Sequence, residues 1–201
     1  MTSGSAGYGE DAEALVRQYE ALSFEEVHAE VLHLIPRSRG RVLDIGAGSG
    51  RDAAALSRLG HTVFAVEPTP ELREQAQRLH PGPSISWLDD ALPDLLTLQG
   101  QEASFDFILL SAVWMHLDVT ERPRAMRRVA SLLAPWGRAV ITLRHGPIPP
   151  NRRMFDVPLN ETITLAEAAG LCVVHCSTGD DRLRRRDVQW DCLGLAVGPE
   201  V

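Results

Sequence analysis

Lysine is absent from this chain; all twenty basic residues are arginines. No side chain can therefore form a Schiff base, serve as a P-loop lysine or pair phosphates as a kinase lysine does. Arginine stays charged and cannot act as a base near neutral pH. Cysteine is scarce: Cys172, Cys176 and Cys192 all fall in the last thirty residues. That is too few and too clustered for the disulfide framework of a secreted domain. A positive excess is missing too, with a net charge of -7 and a pI near 5.5. A protein that held phosphate backbones would carry the opposite balance, so nucleic acid is disfavoured as a partner. Long apolar runs are lacking. The most apolar stretch, Phe105 to Leu117, contains Asp106, Ser111 and His116 and is too short to span a bilayer. Met1 to Glu10 is rich in glycine and serine and has no apolar run, so no signal peptide is expected. These readings predict a soluble, cytoplasmic protein that uses no membrane.

What is present is a chain of 201 residues with ordinary apolar and charged fractions, long enough for one domain with its own core. Residues 1–9 are expected to form a disordered tail and residues 10–201 a single domain. From Asp11 to Ile35 apolar residues recur at helical spacing, and Ser23 with Glu26 forms a capping box that splits the stretch in two. Strand and helix then alternate. Strands are expected at Arg41–Ile45, Thr62–Val66, Ile85–Leu88, Phe105–Leu110 and Arg138–Leu143. Helices are expected at Arg51–Leu59, Pro70–His80 and Thr120–Leu133. A capping box at Thr164–Glu167 is expected to open a short helix that stops at Gly170. Leu171–Ser177 and Val188–Val197 read as two last strands around a charged turn. The alternation predicts an α/β fold with a doubly wound, mostly parallel sheet.

The most informative segment is Val42-Leu-Asp-Ile-Gly-Ala-Gly-Ser-Gly50, a strand running into a glycine turn before a helix. Glycines let a ligand approach the backbone, and the helix N-terminus offers free N–H groups. The dinucleotide fingerprint wants glycine at position 51, where this chain has Arg51. Asp44, two residues ahead of Gly46, would repel a pyrophosphate and suits a cationic group. Glu67 ends the next strand, where a carboxylate can accept from both hydroxyls of a ribose. Two such acids describe a site for a nucleoside that carries positive charge and no phosphate, and S-adenosylmethionine answers that description.

With these residues in view, the chain resembles the class I S-adenosylmethionine-dependent methyltransferases of the small, single-domain type, over roughly residues 40–175. The glycine segment is similar to the family's first motif. Glu67 matches the ribose-binding acid of the second, and Pro70-Glu-Leu72 the segment beside the adenine. Asp89-Asp-Ala-Leu-Pro93 is similar to the stretch whose aspartate takes the adenine amino group; Asp89 is favoured over Asp90. Phe105–Leu117 resembles the segment after the fourth strand, with Met115 in place of the first of two histidines and His116 as the second. Leu132-Leu-Ala-Pro-Trp-Gly137 is similar to a glycine-glycine motif in which Trp136 replaces the first glycine.

The resemblance implies a Rossmann-like seven-stranded sheet whose last strand is antiparallel, residues 40–201, with residues 10–36 as a helical lid. It implies S-adenosylmethionine as cofactor, with S-adenosylhomocysteine as product. Asp44, Gly46, Ala47, Gly48 and Gly50 would hold it, with Glu67, Pro68, Leu72, Asp89 or Asp90, and Ser111. It implies methyl transfer to an oxygen or nitrogen of a small-molecule acceptor, since no insertion is long enough to build a separate substrate domain.

The remaining candidates flank the same sheet edge. His116 and His145 are the candidate bases, since a histidine titrates near the right pH. Trp114, Arg144 and Tyr19 are candidate acceptor contacts, with Arg144 and His145 placed to hold an anionic substrate. Arg152 and Arg153 read as surface residues. Tyr19, Phe24 and His28 would belong to the lid or to the core. The cysteines with His175 raise a metal reading, but Cys172 and Cys176 are expected on one strand face and His175 on the other, so small core residues are the better account and no metal is expected. Arg182-Leu-Arg-Arg-Arg186 reads as a solvated turn. Two other classes stay open: a cofactor-binding protein of this fold that transfers no methyl, and a methyltransferase acting on protein or RNA.

Overall fold

The computed structural model describes residues 7–82 and 84–198. Strands β1 (Arg41–Ile45), β2 (Thr62–Val66), β3 (Ile85–Leu88), β4 (Phe105–Leu110) and β5 (Leu133–His145) run parallel. Strands β6 (Leu171–Asp180) and β7 (Gln189–Val197) close one edge as a hairpin. The order is β3-β2-β1-β4-β5-β7-β6, with β7 antiparallel to both neighbours. This is the expected doubly wound, Rossmann-like sheet with an antiparallel last strand.

Side-chain alternation along the central strands splits the core into two layers. Leu43 and Ile45 of β1 join Ile108 and Leu110 of β4 on one face, where they pack beneath Met126 and Val129 of helix α5 (Glu121–Leu132). Val42, Phe107 and Leu109 point to the opposite face. There they meet Leu56 of helix α3 (Arg51–Arg58) and Phe24 of helix α2 (Phe24–His28). Helix α1 (Ala12–Glu20) packs through Ala12 and Val16 on Leu72 of helix α4 (Pro70–Leu79), above the carboxyl end of the sheet.

The N-terminal helical stretch divides as expected. Ser23 Oγ accepts from the Glu26 N–H at 3.2 Å, and Glu26 Oε2 accepts from the Ser23 N–H at 2.8 Å. A one-turn 3-10 segment, Leu32–Leu34, then leads to β1. Of the expected disordered tail, residues 1–6 lie outside the described residues; residues 7–9 form a turn in which the Tyr8 hydroxyl meets His116.

Several other expectations are corrected. Helix α6 spans Leu159–Ala168 and is capped at Pro158. Thr164 lies inside it and donates through Oγ1 to the Asn160 carbonyl at 2.9 Å, so Thr164–Glu167 is no capping box. Strand β5 begins five residues before Arg138, at Leu133, across a register shift opposite Phe105 and Phe107. Trp136 sits in that irregular stretch with φ +69°, the left-handed backbone region that favours glycine, and its ring is exposed. A second shift, between Val173 and His175, breaks the side-chain alternation of β6 on which the face assignment of the cysteines relied. Cys172 and Cys176 are exposed and Cys192 half-buried, so the core account of the cysteines fails for the first two. Among the described residues, no group of three or more His, Cys, Asp or Glu side chains could hold a metal, and no helix is long and apolar enough to cross a membrane.

Candidate functional site

Open α/β sheets bind ligands outside the carboxyl ends of their strands, where the chain connections diverge. Here the turn after β1 is pinned to β2: the N–H groups of Gly46 and Ala47 donate to the Val66 carbonyl at 2.8 and 2.9 Å. Gly46 has φ +72°, and a Cβ there would collide with Val113. Gly48 has φ +55°, and its would-be Cβ touches the Tyr19 ring at 3.4 Å. The chain thus turns sharply and leaves bare backbone facing a cleft of about 190 Å³. Gly46, Ala47, Gly48, Glu67, Pro68, Leu72 and Ser111 all line this cleft, as does Tyr19. Gly50 does not. A Cβ on it would press on Trp87, His80 and Ala76, so Gly50 serves the packing of α3 on α4 and β3 rather than a ligand.

Of the two acids expected at the site, Glu67 lines the cleft and Asp44 lies behind it. Glu67 is buried; its Oε2 accepts from the Gly48 N–H at 2.9 Å and its Oε1 from the Thr69 N–H at 2.8 Å. Burial raises its pKa, and those two donors, with the Arg73 cation, offset only part of the rise. Asp44 lies fully buried beneath the turn instead of on the cleft wall, and its Oδ2 has no hydrogen-bond partner. Burial, then repulsion from Asp52, lifts the Asp44 carboxyl well above its ordinary range. Asp52 has the reverse fate. Burial would raise it, but His28 Nε2 at 2.9 Å and the Arg51 guanidinium at 2.6 and 3.0 Å hold it far below the ordinary range. His28 and Arg51 thus form an ion cluster at one end of the cleft, and Arg51 also donates to the Tyr19 carbonyl at 3.0 Å.

The two aspartates after β3 point different ways. Asp89 points outward to pair with Arg73 at 3.0 Å, whereas Asp90 lines the cleft. Asp90 is oriented by its contacts: Oδ1 accepts from the Ala91 N–H at 2.8 Å, and Oδ2 accepts from the Thr97 N–H and hydroxyl at 2.7 and 2.6 Å.

A second cavity, of about 520 Å³, adjoins the first on the side of β5 and the β6–β7 hairpin. Tyr8, Tyr19, Arg51, Ser111, Ala112 and His116 line both. Ala112 holds φ +60° at the end of β4, and its N–H donates to Thr142 Oγ1 at 2.8 Å, an uncommon backbone state fixed at the shared wall. His116 sits in a 3-10 turn (Trp114–His116) with Nδ1 2.7 Å from the Arg153 carbonyl and Nε2 3.0 Å from the Tyr8 hydroxyl. A carbonyl only accepts, so Nδ1 carries the proton and the Nε2 lone pair faces Tyr8. Burial lowers the His116 pKa, and the Arg152 and Arg153 cations act the same way against the Arg153 carbonyl bond. The lowered pKa favours the neutral ring, whose Nε2 lone pair accepts from the Tyr8 hydroxyl at the boundary of the two cavities.

The other histidine candidate is corrected. His145 lines neither cavity; its Nδ1 is 3.0 Å from Asp156 and its Nε2 2.9 Å from Asp191. Burial opposes its charge, but the two carboxylates outweigh burial and raise its pKa. It is a structural cation with both nitrogens taken. Trp114 is corrected as well: it is fully buried in the core under α5 and touches neither cavity. Arg144 does line the second cavity.

Sequence reasoning missed Tyr8, which fell in the expected tail, and Arg152, which read as a surface residue. Arg152 is buried against the Tyr8 ring, 4.2 Å from its centroid. No sequence period marks either, because each reaches the cavity from irregular backbone. The arginine-rich turn is not free either: Arg185 folds back on Asp181 at 2.6 and 2.9 Å, and both form part of the second cavity's wall.

The donor set fits S-adenosylmethionine. An orphaned buried carboxylate oxygen at Asp44 suits a nearby cation, and Glu67 beside bare glycine backbone suits ribose hydroxyls. The guanidiniums on the first cleft are already committed, Arg51 to Asp52 and Arg153 to Asp118 and Glu121, which leaves no cation there for a pyrophosphate. Comparison with known proteins agrees. Residues 43–141 match the family described as methyltransferase domain, and this match supports the reading of a class I S-adenosylmethionine-dependent methyltransferase. An uncharacterised methyltransferase of Oceanobacillus iheyensis is 30% identical over 123 residues, which are 61% of this chain and 55% of that one. The ubiquinone biosynthesis O-methyltransferase of Xylella fastidiosa is 36% identical over 111 residues, 54% of this chain and 43% of that one. The chain thus spans about half the length of such curated relatives. In fold it is similar to the 1,6-didemethyltoxoflavin-N1-methyltransferase of Burkholderia thailandensis, solved with its acceptor and S-adenosylhomocysteine. The TM-score is 0.74 at 23% identity, over 96% of this chain and 84% of that one.

Proposed function

We propose that this protein transfers a methyl group from S-adenosylmethionine to an oxygen or nitrogen of a small-molecule acceptor. One observation carries the reading: the glycine-turn cleft and the larger cavity share a wall formed by Tyr8, Tyr19, Ser111 and His116. Two reactants lodged in the two spaces meet at that wall. Asp44 and Glu67 would hold the charged and ribose parts of the cofactor, and Leu72 and Asp90 its base. When bound, the cofactor supplies a methyl carbon already activated by a sulfonium. The protein's own contribution is then alignment, exclusion of water and removal of a proton. Alignment of this kind is worth effective molarities of roughly 10⁵–10⁸ M. The α1 helix and the Tyr8 turn serve as the lid that shuts out water.

For the proton, Tyr8 and His116 form a relay. The Tyr8 oxygen can accept from the acceptor's O–H or N–H while its own proton passes to His116 Nε2. The names of the relatives favour small acceptors, with an O-methyltransferase of ubiquinone biosynthesis among them and an N1-methyltransferase among the similar folds.

The test is release of S-adenosylhomocysteine in the presence of a panel of small phenols, carboxylic acids and heteroaromatic amines. Glu67→Ala is expected to weaken S-adenosylhomocysteine binding more than tenfold in calorimetry, since charge-assisted hydrogen bonds contribute about 1.5–3 kcal/mol each. Unchanged binding by that variant, or binding with no turnover across the panel, sinks the reading.

A further inference from the structure

The larger cavity carries positive charge that the described residues answer only in part. Its carboxylates are engaged: Asp181 with Arg185 and Trp190, Asp191 with His145 and Thr178, and Glu30 with Arg182 and Ser177. Only Asp180, at the exposed rim, has no side-chain partner among the described residues. Two guanidiniums differ. Nη1 of Arg144 and Nη1 of Arg152 are both buried, and both lack a hydrogen-bond partner among the described residues. Arg144 is 9% exposed, and the Arg152 side chain 7%. Arg152 leans on the Tyr8 ring and spends only Nη2, on Asp11 at 3.0 Å. Arg144 forms no salt bridge among the described residues, although it projects from the end of β5 beside Trp190 of β7.

Burying guanidinium N–H groups without an acceptor is costly, and here Arg144 and Arg152 each bring such a group to one cavity. Their N–H forks match an oxyanion of carboxylate or phosphate type, for which arginine is the preferred partner. The rest of the wall offers apolar surface, from Leu22, Met115, Met154 and Trp190.

We propose that the acceptor is an anion, an apolar or aromatic molecule bearing a carboxylate or phosphate that Arg144 and Arg152 bind, with its nucleophilic atom turned toward Tyr8. This rests on the methyltransferase reading for the word acceptor, but the anion site itself does not depend on it. Arg144 and Arg152 act here as specificity residues: they hold the substrate's charge and leave the proton transfer to Tyr8 and His116.

Benzoate, phenyl phosphate and neutral benzamide are the probes, titrated into the full chain by calorimetry with S-adenosylhomocysteine absent and present. Benzoate or phenyl phosphate is expected to bind at least tenfold more tightly than benzamide, with affinity falling as salt rises; which anion binds better separates the two sources of the charge. Arg144→Gln should lose at least tenfold in affinity for the anion and nothing for benzamide, with Arg144→Lys recovering part of it. Arg152→Gln, at the cavity mouth, should lose a smaller factor and guards against misfolding of the first variant. Benzamide binding as tightly as benzoate, or full anion affinity in both glutamine variants, overturns the proposal. S-adenosylhomocysteine binding on the same samples reads the methyltransferase assignment separately. Its absence alongside retained anion binding overturns that assignment and supports the anion site.

Discussion

The Tyr8 hydroxyl stands 3.0 Å from Nε2 of His116, and the two rings meet edge to face with centroids 5.5 Å apart. The pair joins the first residues of the described chain to the loop after β4, at the wall shared by both cavities. Under the proposed function this pair takes the proton of the acceptor.

The pH profile of kcat/KM follows from that pair. Burial and two arginines lower the His116 pKa below its ordinary value of about 6.5. Activity is therefore expected to hold at neutral pH and to fall only on the acid side of that value, as Nε2 becomes protonated. His116→Gln should cut kcat by roughly 10²–10⁴-fold and erase the acidic limb, with S-adenosylhomocysteine affinity kept. Tyr8→Phe should lower kcat but retain the limb. An unaltered limb in the glutamine variant would remove His116 from the relay.

If Asp44 answers the cofactor's charge as proposed, cofactor binding is expected to depend on pH. Its carboxyl is raised by burial, so the ligand-free fold holds a proton there that the unfolded chain releases. Free-protein stability should thus decline as pH rises from the ordinary carboxylate range, about 4, through the raised value. A bound cation favours the carboxylate and reverses this. Binding of S-adenosylhomocysteine, whose amino group is cationic, is expected to release a proton and to tighten as pH rises. Calorimetry in two buffers of different ionisation heat measures the release. Asp44→Asn should abolish it, and equal proton release in that variant would place the effect elsewhere.

His145 shifts stability in the same direction with pH, through a partnered cation rather than a buried acid. Held between Asp156 and Asp191, its pKa is raised in the fold, so its stabilisation is complete below the unfolded value of about 6.5 and is lost as pH rises through the raised value. Denaturant melts of the wild type and His145→Gln should differ more on the acid side of that window than on the alkaline side. A constant difference would show that the clip works through packing and not charge.

The sheet and the glycine turn were legible because their signals are local. Val42, Leu43 and Ile45, and the run Phe105–Leu110, are apolar without the usual alternation, which only a strand covered on both faces tolerates. Gly46 and Gly48 adopt left-handed backbone that few other residues accept, so the turn is written in their absence of side chains. Glu67 followed from its place at the end of β2.

The rest was decided by distance through space. Asp89 and Asp90 are indistinguishable in sequence, and only the turn after β3 sends one to Arg73 and the other to the cleft. Gly50 shares the motif but meets Trp87 and His80 instead of the cavity. His116 and His145 stand at equivalent strand ends. Whether each is a neutral base or a fixed cation depends on a carbonyl from residue 153 and on carboxylates from residues 156 and 191, none of which lies next to it in the chain. The residues alone thus specify the cofactor turn, since backbone conformation and apolar patterning are short-range properties. Protonation state and acceptor recognition belong to the tertiary structure, because they arise from partners brought together across the sheet edge.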